Sequence, residues 1–496
     1  MRRLPLSALL AVLLAVLLAV LLAGCTVGPD YQRPAAPYPD TFKYQDGWQT
    51  VPARSWMAGG EWWLAFHDPV LTGLLDQAAA ANQTLAQAQA RFRAAEAQWA
   101  DARSGYSPVL GASVQGQRRG SDEARSTVTG NTVSNSRISE SYSAELEVSW
   151  APDLWGRVRR EVEAGRANLQ ASAADLAAVR LSIRVSLAQS YVRLRALDLQ
   201  VSLLRQTMDA YERSLTLTQN QYRAGIVSRS DVIQAQTQSQ SLRTELYDLE
   251  NQRAAEENAI AVLTGRAPSQ FSLPVAEGLP ALPSLPATLP SVLIARRPDV
   301  VVAERQVAAA NANIGVARAA WLPDLTLSAS GGVEADSFSR LFDAPVRVWS
   351  VGPSLAQTLF DGGARRAAND LAIAQYDEQV AFYRQTVLES LRDVEDALAT
   401  ARILSEKDQQ QSDLVALAQD NERVITNRYK AGMVTFLEVA TAQNLTLEAR
   451  RAQLDIASDR LDAAIQLAAA LGGGWDLDDP VIQTVVEPPR PWEEKD

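Results

Sequence analysis

YRAGIV, residues 222–227, recurs 207 residues later as YKAGMV, residues 429–434. A second pair of matching segments, ARSGYSP at 102–108 and ARAAWLP at 317–323, lies 215 residues apart. Similarity at a long, nearly constant offset is the signature of an internal repeat. The chain is therefore predicted to contain two copies of one unit. The polar stretch 120–137 is longer than its counterpart and accounts for the shift in offset.

Long stretches without Gly or Pro flank both hexapeptides. Neither residue occurs over 166–224 and 364–431, before the YxAG turn, or over 226–264 and 433–471, after it. Such lengths exceed those of ordinary helices and indicate coiled coils. Apolar residues in the first stretch recur with steps of three and four, which is a heptad seam: Leu176, Val179, Ile183, Leu187, Ser190, Leu194, Leu197, Val201, Leu204 and Met208. The second stretch has the same spacing at Val380, Tyr383, Val387, Leu391, Val394, Leu398 and Ala401.

Between its helical stretches, each copy has two segments in which apolar and polar residues alternate. Their apolar positions are Leu110, Ala112 and Val114; Ile138, Tyr142, Ala144, Leu146, Val148 and Trp150; Leu325, Leu327 and Ala329; and Trp349, Val351 and Leu355. This pattern is typical of transmembrane barrel strands, although a soluble antiparallel sheet with one wet face gives the same alternation. Pro353 predicts a bend in the last segment.

Four strands are too few to close a barrel, since the smallest closed barrels use about eight. An open sheet in lipid would leave unpaired backbone groups along its edges, each costing several kcal/mol. If these strands cross a membrane, several copies of the chain must therefore share one barrel.

The amino terminus has the pattern of an export signal. Arg2 and Arg3 precede a run of Ala, Leu and Val over 8–23, and the run ends in LAGC at 22–25. This box resembles the bacterial lipoprotein signal, in which Cys25 would become the first residue of the mature protein and carry acyl chains. An uncleaved membrane helix is the alternative, because the stretch is nearly long enough to span a bilayer.

These features divide the chain into six predicted parts. They are a signal peptide over 1–24, a lipidated extended arm over 25–67, repeat 1 over 68–265, a Pro-rich linker over 266–297, repeat 2 over 298–472 and an acidic tail over 473–496.

Composition excludes several classes of function. The 496 residues carry a net charge of −11, which argues against a nucleic-acid binder. One His, His67, and one Cys, Cys25, cannot form a His/Cys metal site, a Cys–His nucleophile pair or an intrachain disulfide. Phosphate-loop, dinucleotide and nucleophile-elbow motifs do not occur. We expect no cofactor and no enzyme activity, with a carboxylate-only hydrolase as the one enzymatic alternative left open.

Several segments resemble one known family. The pattern WWxxFxDPxL occurs at 62–71, RPD at 297–299 is followed by ANA at 310–312, and IGVARAA lies at 314–320. Together with LAGC and the doubled YxAG, they resemble the TolC-like outer membrane factors, lipoprotein branch. The resemblance extends from Cys25 to about Gly474.

The resemblance implies an α+β membrane protein. In that family a homotrimer forms a twelve-stranded transmembrane β-barrel, with four strands per protomer, continued by a long periplasmic α-helical coiled-coil barrel. It is the passive outer membrane exit of a tripartite pump, joined to a periplasmic adaptor and an inner-membrane RND transporter. Small molecules such as drugs and toxic compounds would be exported, and the transporter would select them. The remaining alternatives are a protein-secretion channel and a lipid-anchored coiled-coil scaffold without a pore.

Site residues follow from the same resemblance. The two YxAG turns match tips that dock the adaptor, and the residues concerned are Tyr222, Gly225, Tyr429 and Gly432. Asp231 and Tyr429 match a hydrogen-bonded pair that holds the tip closed. Glu438 matches the first of two inward acidic positions, whereas the second position is Thr441. The simpler alternatives are ordinary helix C-caps for the glycines and a solvated helix residue for Glu438.

Overall fold

The computed structural model describes residues 26–37, 42–43, 61–122, 126–128, 131–133, 136–283, 297–343 and 345–473. The predicted signal peptide and lipid attachment at Cys25 lie outside these residues, as does nearly all of the acidic tail. Within them, no helix combines the length and apolarity needed to cross a membrane.

The helices follow the repeat. In the first half, α1 (Pro69–Ala81), α2 (Gln83–Ser104), α3 (Arg157–Arg223) and α4 (Arg229–Leu263) occur in that order; in the second half, α5 (Pro298–Ala319), the one-turn α6 (Arg340–Asp343), α7 (Ala364–Lys430) and α8 (Phe436–Ala470) do so. Trp62–Phe66 and Pro268–Gln270 form short 3₁₀-helices. Both α3 and α7 have 67 residues, and both α4 and α8 have 35. Two repeated halves are therefore confirmed.

Most of the predicted heptad positions are buried, and none of them is exposed. On α3, Leu187 and Leu194 are fully buried, and on α7 the same holds for Tyr383, Val387 and Val394. Each such side chain contributes about 1.5–3 kcal/mol when it leaves water. Packing along these seams, rather than intrinsic propensity, stabilises helices of this length.

The long strands form one antiparallel sheet in the order β1–β4–β5–β6. Their bounds are Val109–Asp122 for β1, Ser136–Trp150 for β4, Asp324–Ala335 for β5 and Val346–Ala356 for β6. The register places Leu146 opposite Ala112 on one side and Gly331 on the other, so the apolar positions share one face. A shift of one residue would exchange the two faces, which makes this register highly specified.

The polar stretch 120–137 contains more strand than the alternation indicates. β1 continues to Asp122, β4 begins at Ser136, and between them β2 (Ser126–Val128) pairs with β3 (Asn131–Val133). Backbone ladders need no apolar side chains, so hydropathy carries no signal for them. Pro353 lies within the edge strand β6, opposite Leu327, and an edge is where a sheet tolerates proline.

The chain divides into two compact units. The first comprises the described residues of 1–34, 94–169 and 305–381, and the second comprises those of 35–93, 170–304 and 382–496. Each unit has a buried polar group that ties an irregular segment to its helices.

In the first unit, Arg160 of α3 ties down the described start of the predicted arm. Its buried guanidinium donates to the Asp30 carboxylate at 2.9 Å and to the Gly28 carbonyl at 3.3 Å. Gly28 has φ +107°, and a Cβ on it would lie 2.5 Å from the Cα of Gly315. Only glycine fits at this close approach, because the left-handed backbone and the short distance both exclude a side chain.

In the second unit, Asp198 of α3 is fully buried and holds part of the inter-repeat segment. Its carboxylate accepts from Arg253 at 2.6 Å, from Arg195 at 3.1 Å and from the Ala276 N–H at 3.1 Å. Arg195 also donates to the Pro274 carbonyl at 2.8 Å. Asp198 therefore joins two arginines of the helices to the backbone of the inter-repeat segment within a largely buried cluster.

Replacing Asp198 with Asn should destabilise this unit. The variant leaves the buried Arg195 guanidinium without its carboxylate, and breaking a buried pair costs about 3–5 kcal/mol. We expect a lower unfolding temperature and faster tryptic cleavage after the exposed Arg266, because the following segment loses its attachment. The matched control is Asp420→Asn, which removes an exposed ion pair with Arg423 and should cost about 1 kcal/mol at most. Equal cleavage rates in the two variants would contradict the assigned role of Asp198.

Candidate gate at the helical tips

Both YxAG segments form the turn between two long helices. The first turn joins α3 to α4 and the second joins α7 to α8. Gly225 has φ +75° and Gly432 has φ +72°. In each turn the next N–H reaches back five residues, from Ile226 to the Gln221 carbonyl at 2.9 Å and from Met433 to the Arg428 carbonyl at 3.0 Å. This is the Schellman motif, in which a left-handed glycine ends a helix.

Large apolar side chains are exposed at these turns. Met433 has 68% of its surface exposed, and Tyr222, Ile226 and Leu437 are exposed as well. Met433 and Ile226 occupy equivalent positions directly after the two glycines. Clustered exposed apolar residues are characteristic of protein interaction sites.

Tyr429 faces away from solvent. Only 3% of its surface is exposed, and its ring packs edge-to-face on Phe436 with centroids 5.9 Å apart. Its hydroxyl lies 3.0 Å from the Thr218 Oγ1 of α3, which itself donates to the Ser214 carbonyl at 2.9 Å. Tyr429 is therefore the donor to Thr218. Burial raises the pKa of the Tyr429 phenol, and the negative charge of Asp231 adds to the effect.

Asp231 has a different set of partners. Its carboxylate accepts from the Ser228 N–H at 2.9 Å and from the Ser228 hydroxyl at 2.7 Å, and this capping box starts α4. Asp231 lies near Tyr429, but within the protomer Asp231 bonds to Ser228 and Tyr429 bonds to Thr218. Ser228 is a local partner because it lies three positions from Asp231 at the start of the same helix, whereas Tyr429 belongs to the other hairpin.

Thr218 is the residue that the sequence reasoning missed. It is completely buried on α3. A usable signal existed, because extending the predicted seam beyond Met208 with steps of three and four leads to Tyr211, Leu215 and Thr218. A hydroxyl at a seam position needs a hydrogen-bond partner when buried, and Tyr429 is that partner.

Glu438 repeats the role of Asp231 in the second half. Its carboxylate accepts from the Thr435 N–H at 3.3 Å in a capping box that starts α8. The Thr441 hydroxyl donates to the Leu437 carbonyl of its own helix at 2.9 Å. Both Glu438 and Thr441 are solvent-exposed in the protomer. The carboxylate of Glu438 therefore combines a local capping role with a charge that remains accessible.

The described residues contain no group of three His, Cys, Asp or Glu side chains arranged to hold a metal ion. The tips instead offer caps, one buried hydroxyl pair and exposed apolar side chains, which suit contacts between proteins.

Comparison with known proteins supplies a family. The family described as "Outer membrane efflux protein" matches residues 74–266 and 289–473, one segment in each half of the chain. The probable efflux pump outer membrane protein TtgC of Pseudomonas putida is 31% identical over 455 residues, covering 91% of this chain and 93% of TtgC. The cation efflux system protein CusC of Escherichia coli is 30% identical, covering 91% of this chain and 96% of CusC.

Solved structures have the same architecture. The outer-membrane channel OprN aligns with a TM-score of 0.82 at 29% identity, covering 91% of this chain and all of OprN. A crystal structure of CusC aligns with a TM-score of 0.78 at 28% identity, covering 90% of this chain and all of CusC. The likeness therefore includes both halves, with their strands and their long helices.

The Thr218–Tyr429 pair predicts coupled effects of mutation. Thr218→Val leaves a buried phenol without its acceptor and should cost about 1–3 kcal/mol, whereas Tyr429→Phe removes the donor and should cost about 0.5–1.5 kcal/mol. The double variant should cost less than the sum of the two single changes. Amide hydrogen exchange over 218–233 and 425–440 measures the loss of protection.

Thr216→Val is the matched control on the same helix. Its exposed hydroxyl bonds only to the Glu212 carbonyl within α3, so protection at the tips should stay close to that of the native protein. Equal exchange in the Thr216 and Thr218 variants would show that the buried pair does not hold the tips.

Proposed function

The chain belongs to the outer membrane efflux protein family, and from that premise we propose how it assembles and opens. It is an outer membrane channel of tripartite efflux pumps, with its helical part in the periplasm. Family membership favours this channel over a scaffold without a pore and over a hydrolase. Its two structural repeats comprise residues 68–265 and 298–472.

A homotrimer is supported first by the sheet. β1 and β6 are its edge strands, and an edge inside a bilayer leaves backbone groups unsatisfied at several kcal/mol each. Three protomers joined edge to edge make twelve strands and remove every edge. The apolar face then meets lipid, and the polar face lines the pore.

An exposed seam on α7 also supports the homotrimer. Ile403, Leu414, Leu417 and Val424 are exposed, and their steps of 11, 3 and 7 residues place them along one side of the helix. Leu417 alone has 70% of its surface exposed. Such a seam is the pattern of a coiled-coil contact that lacks its partner in the single protomer. In the proposed assembly a helix of the neighbouring copy covers it.

The exposed turns around Gly225 and Gly432, with Tyr222 at the surface, support docking to a periplasmic adaptor, and an inner-membrane RND transporter completes the pump. Tyr429, the fourth residue assigned to docking, is buried and would act beneath this surface. The relatives are named for the efflux of antibiotics, toluene and cations. We therefore assign small molecules, including drugs and toxic compounds, as cargo. The inner-membrane transporter, rather than the duct, would select this cargo.

The lipid anchor is assigned to Cys25. The next residue, Thr26, packs closely on Gly156, because a Cβ added to Gly156 would lie 2.7 Å from the Thr26 side chain. Arg160 holds the residues that follow Thr26. The arm would thereby hold acyl chains on Cys25 at one place beside the first unit, where they insert into outer membrane lipid. Several chains are needed for a stable anchor.

The gate is assigned to Asp231, Tyr429, Glu438 and Thr441. The observation that carries this assignment is the buried Tyr429 hydroxyl, which ties the second tip to Thr218 of α3. A hydrogen bond of about 0.5–1.5 kcal/mol suits a latch that must open reversibly. Asp231 adds a nearby negative charge, and Glu438 contributes one exposed carboxylate per protomer.

Loosening the latch should open the channel. Tyr429→Phe removes the bond to Thr218, and Asp231→Ala removes the carboxylate half of the α4 capping box, so both should raise single-channel conductance in planar bilayers several-fold. Bacteria expressing either variant should become more sensitive to large drugs. The control Tyr247→Phe changes an exposed tyrosine on α4 outside the tips. Conductance and drug sensitivity that match the control in both variants would overturn the gate, and a native chain without conductance would overturn the channel.

Glu438 predicts cation preference. Three carboxylates near the axis of a trimer should favour cations over anions by field alone. Glu438→Gln should shift the reversal potential in a KCl gradient toward zero, and 1 M salt should shrink the difference because the Debye length falls to about 3 Å. Glu448→Gln, an exposed position farther along α8, serves as the control for charge. The proposal fails if both variants keep the native reversal potential.

A further inference from the structure

The apolar face of the sheet contains rows of side chains that cross all four strands. One row contains Val114, Ala144, Val333 and Arg347. The next row toward the helices contains Ala112, Leu146, Gly331 and Trp349. Each row therefore takes one residue from each strand, and the two rows lie side by side on one face.

A groove of about 560 Å³ lies over these two rows, which is within the range of small-molecule sites. Gly331 forms the floor of the groove. A Cβ added to Gly331 would have no atom within 4 Å, so the space above this residue is open. Trp349, with 79% of its surface exposed, stands beside this floor. The lining on this face is aliphatic or aromatic apart from Arg347, so the groove suits a hydrocarbon chain.

Arg347 is the unusual member of the apolar face. It is exposed, and it forms no ion pair with any residue in the described part of the chain. Arg118 provides an internal comparison, because it lies on the same face and has the Glu140 carboxylate at 3.4 Å. On this face, Glu140 thus neutralises the charge of Arg118, whereas the charge of Arg347 remains available to a ligand.

The position of Arg347 along the strands also matters. It is the second residue of β6, at the end of the sheet remote from the long helices, and Trp150 and Ala356 mark the end that adjoins them. Aromatic rings gather at the remote end, where Tyr142 packs on Phe338 with centroids 5.8 Å apart. Aromatic residues mark the interfacial depth of membrane proteins. With the helices in the periplasm, this interface is that of the outer leaflet.

Resting on the proposed trimeric barrel, we propose that the groove binds an acyl chain of an outer-leaflet lipid while Arg347 pairs with a phosphate of its headgroup. The apolar floor accepts the chain, and the unpaired guanidinium at headgroup depth supplies the selectivity for charge. A further copy of the protein is disfavoured as occupant, because the trimer closes through strand edges and leaves this face to lipid.

The test uses the purified trimer and lipid A as the probe. Delipidated protein is titrated with bis-phosphorylated lipid A, and native mass spectrometry counts the lipids retained on each trimer. We expect up to three bound molecules. Retention should be about fivefold weaker for dephosphorylated lipid A, as a contribution of about 1 kcal/mol per basic residue implies.

Two variants separate the chain site from the headgroup site. Gly331→Val fills the floor without a clash, and Arg347→Gln removes the charge; each should weaken retention of lipid A about fivefold or more. The matched controls change the opposite face of the same sheet. Gly352→Val adds a side chain where a Cβ also meets open space, and Arg119→Gln removes a charge beside Ser139. Both controls should bind like the native chain.

The outcomes are distinct. Equal retention in all variants, or equal retention of both forms of lipid A, would overturn the site. The same spectra report the number of chains, so a native protein that is not trimeric would instead overturn the proposed assembly. If Gly331→Val fails to fold, a second measurement on the native protein decides. A brominated anionic lipid should quench the fluorescence contributed by Trp349, defined by difference from Trp349→Phe, more strongly than a brominated zwitterionic lipid, and equal quenching would overturn the site.

Discussion

The open edges of the four-stranded sheet impose the main constraint on this protein. β1 and β6 each leave a row of backbone donors and acceptors without a partner in the protomer, and hydrocarbon cannot satisfy them. In the proposed trimer, strands of further copies close these edges, so that every strand lies in a ladder. In that assembly the register determines which face meets lipid and which lines the pore, and the exposed α7 seam becomes a contact between copies.

The helical tips combine strong local structure with long-range contacts between the hairpins, which are the Thr218–Tyr429 bond and an apolar cluster around Tyr429, Phe436 and Ala235. The Schellman turns at Gly225 and Gly432 and the capping boxes at Ser228 and Thr435 are local, so each tip forms independently of the other. The Thr218–Tyr429 bond joins the hairpins and is modest in energy. In the proposed gate, each tip would move as a unit once this bond and the apolar packing around Tyr429 are broken.

The chemistry of the chain is that of a duct and its surroundings. Polar side chains occupy one face of the sheet and apolar ones the other, and among the described side chains the charges on the apolar face lie toward the end remote from the long helices, at Arg118, Glu140 and Arg347. The energetic cost of a charged side chain on this face therefore depends on its depth in the bilayer as well as on its identity. Arg347 would be costly near the middle of a bilayer and is favourable where phosphates lie.

Much of this structure is determined by the sequence alone. Repeats, heptad seams, alternating strands and the YxAG turns depend on neighbours within a few residues or on periodicity, and the prediction of each is confirmed by burial or register. The partner of Tyr429 was not predictable in that way. Asp231 matched the family pattern, but a serine three residues away engages its carboxylate, and Tyr429 reaches Thr218, 211 positions distant along the chain. The pairing of β2 with β3 was also not predicted, because backbone hydrogen bonding leaves no hydropathy signal. Local periodicity thus specified the elements, whereas the tertiary structure decided which buried polar groups meet, since that depends on how separate helices pack.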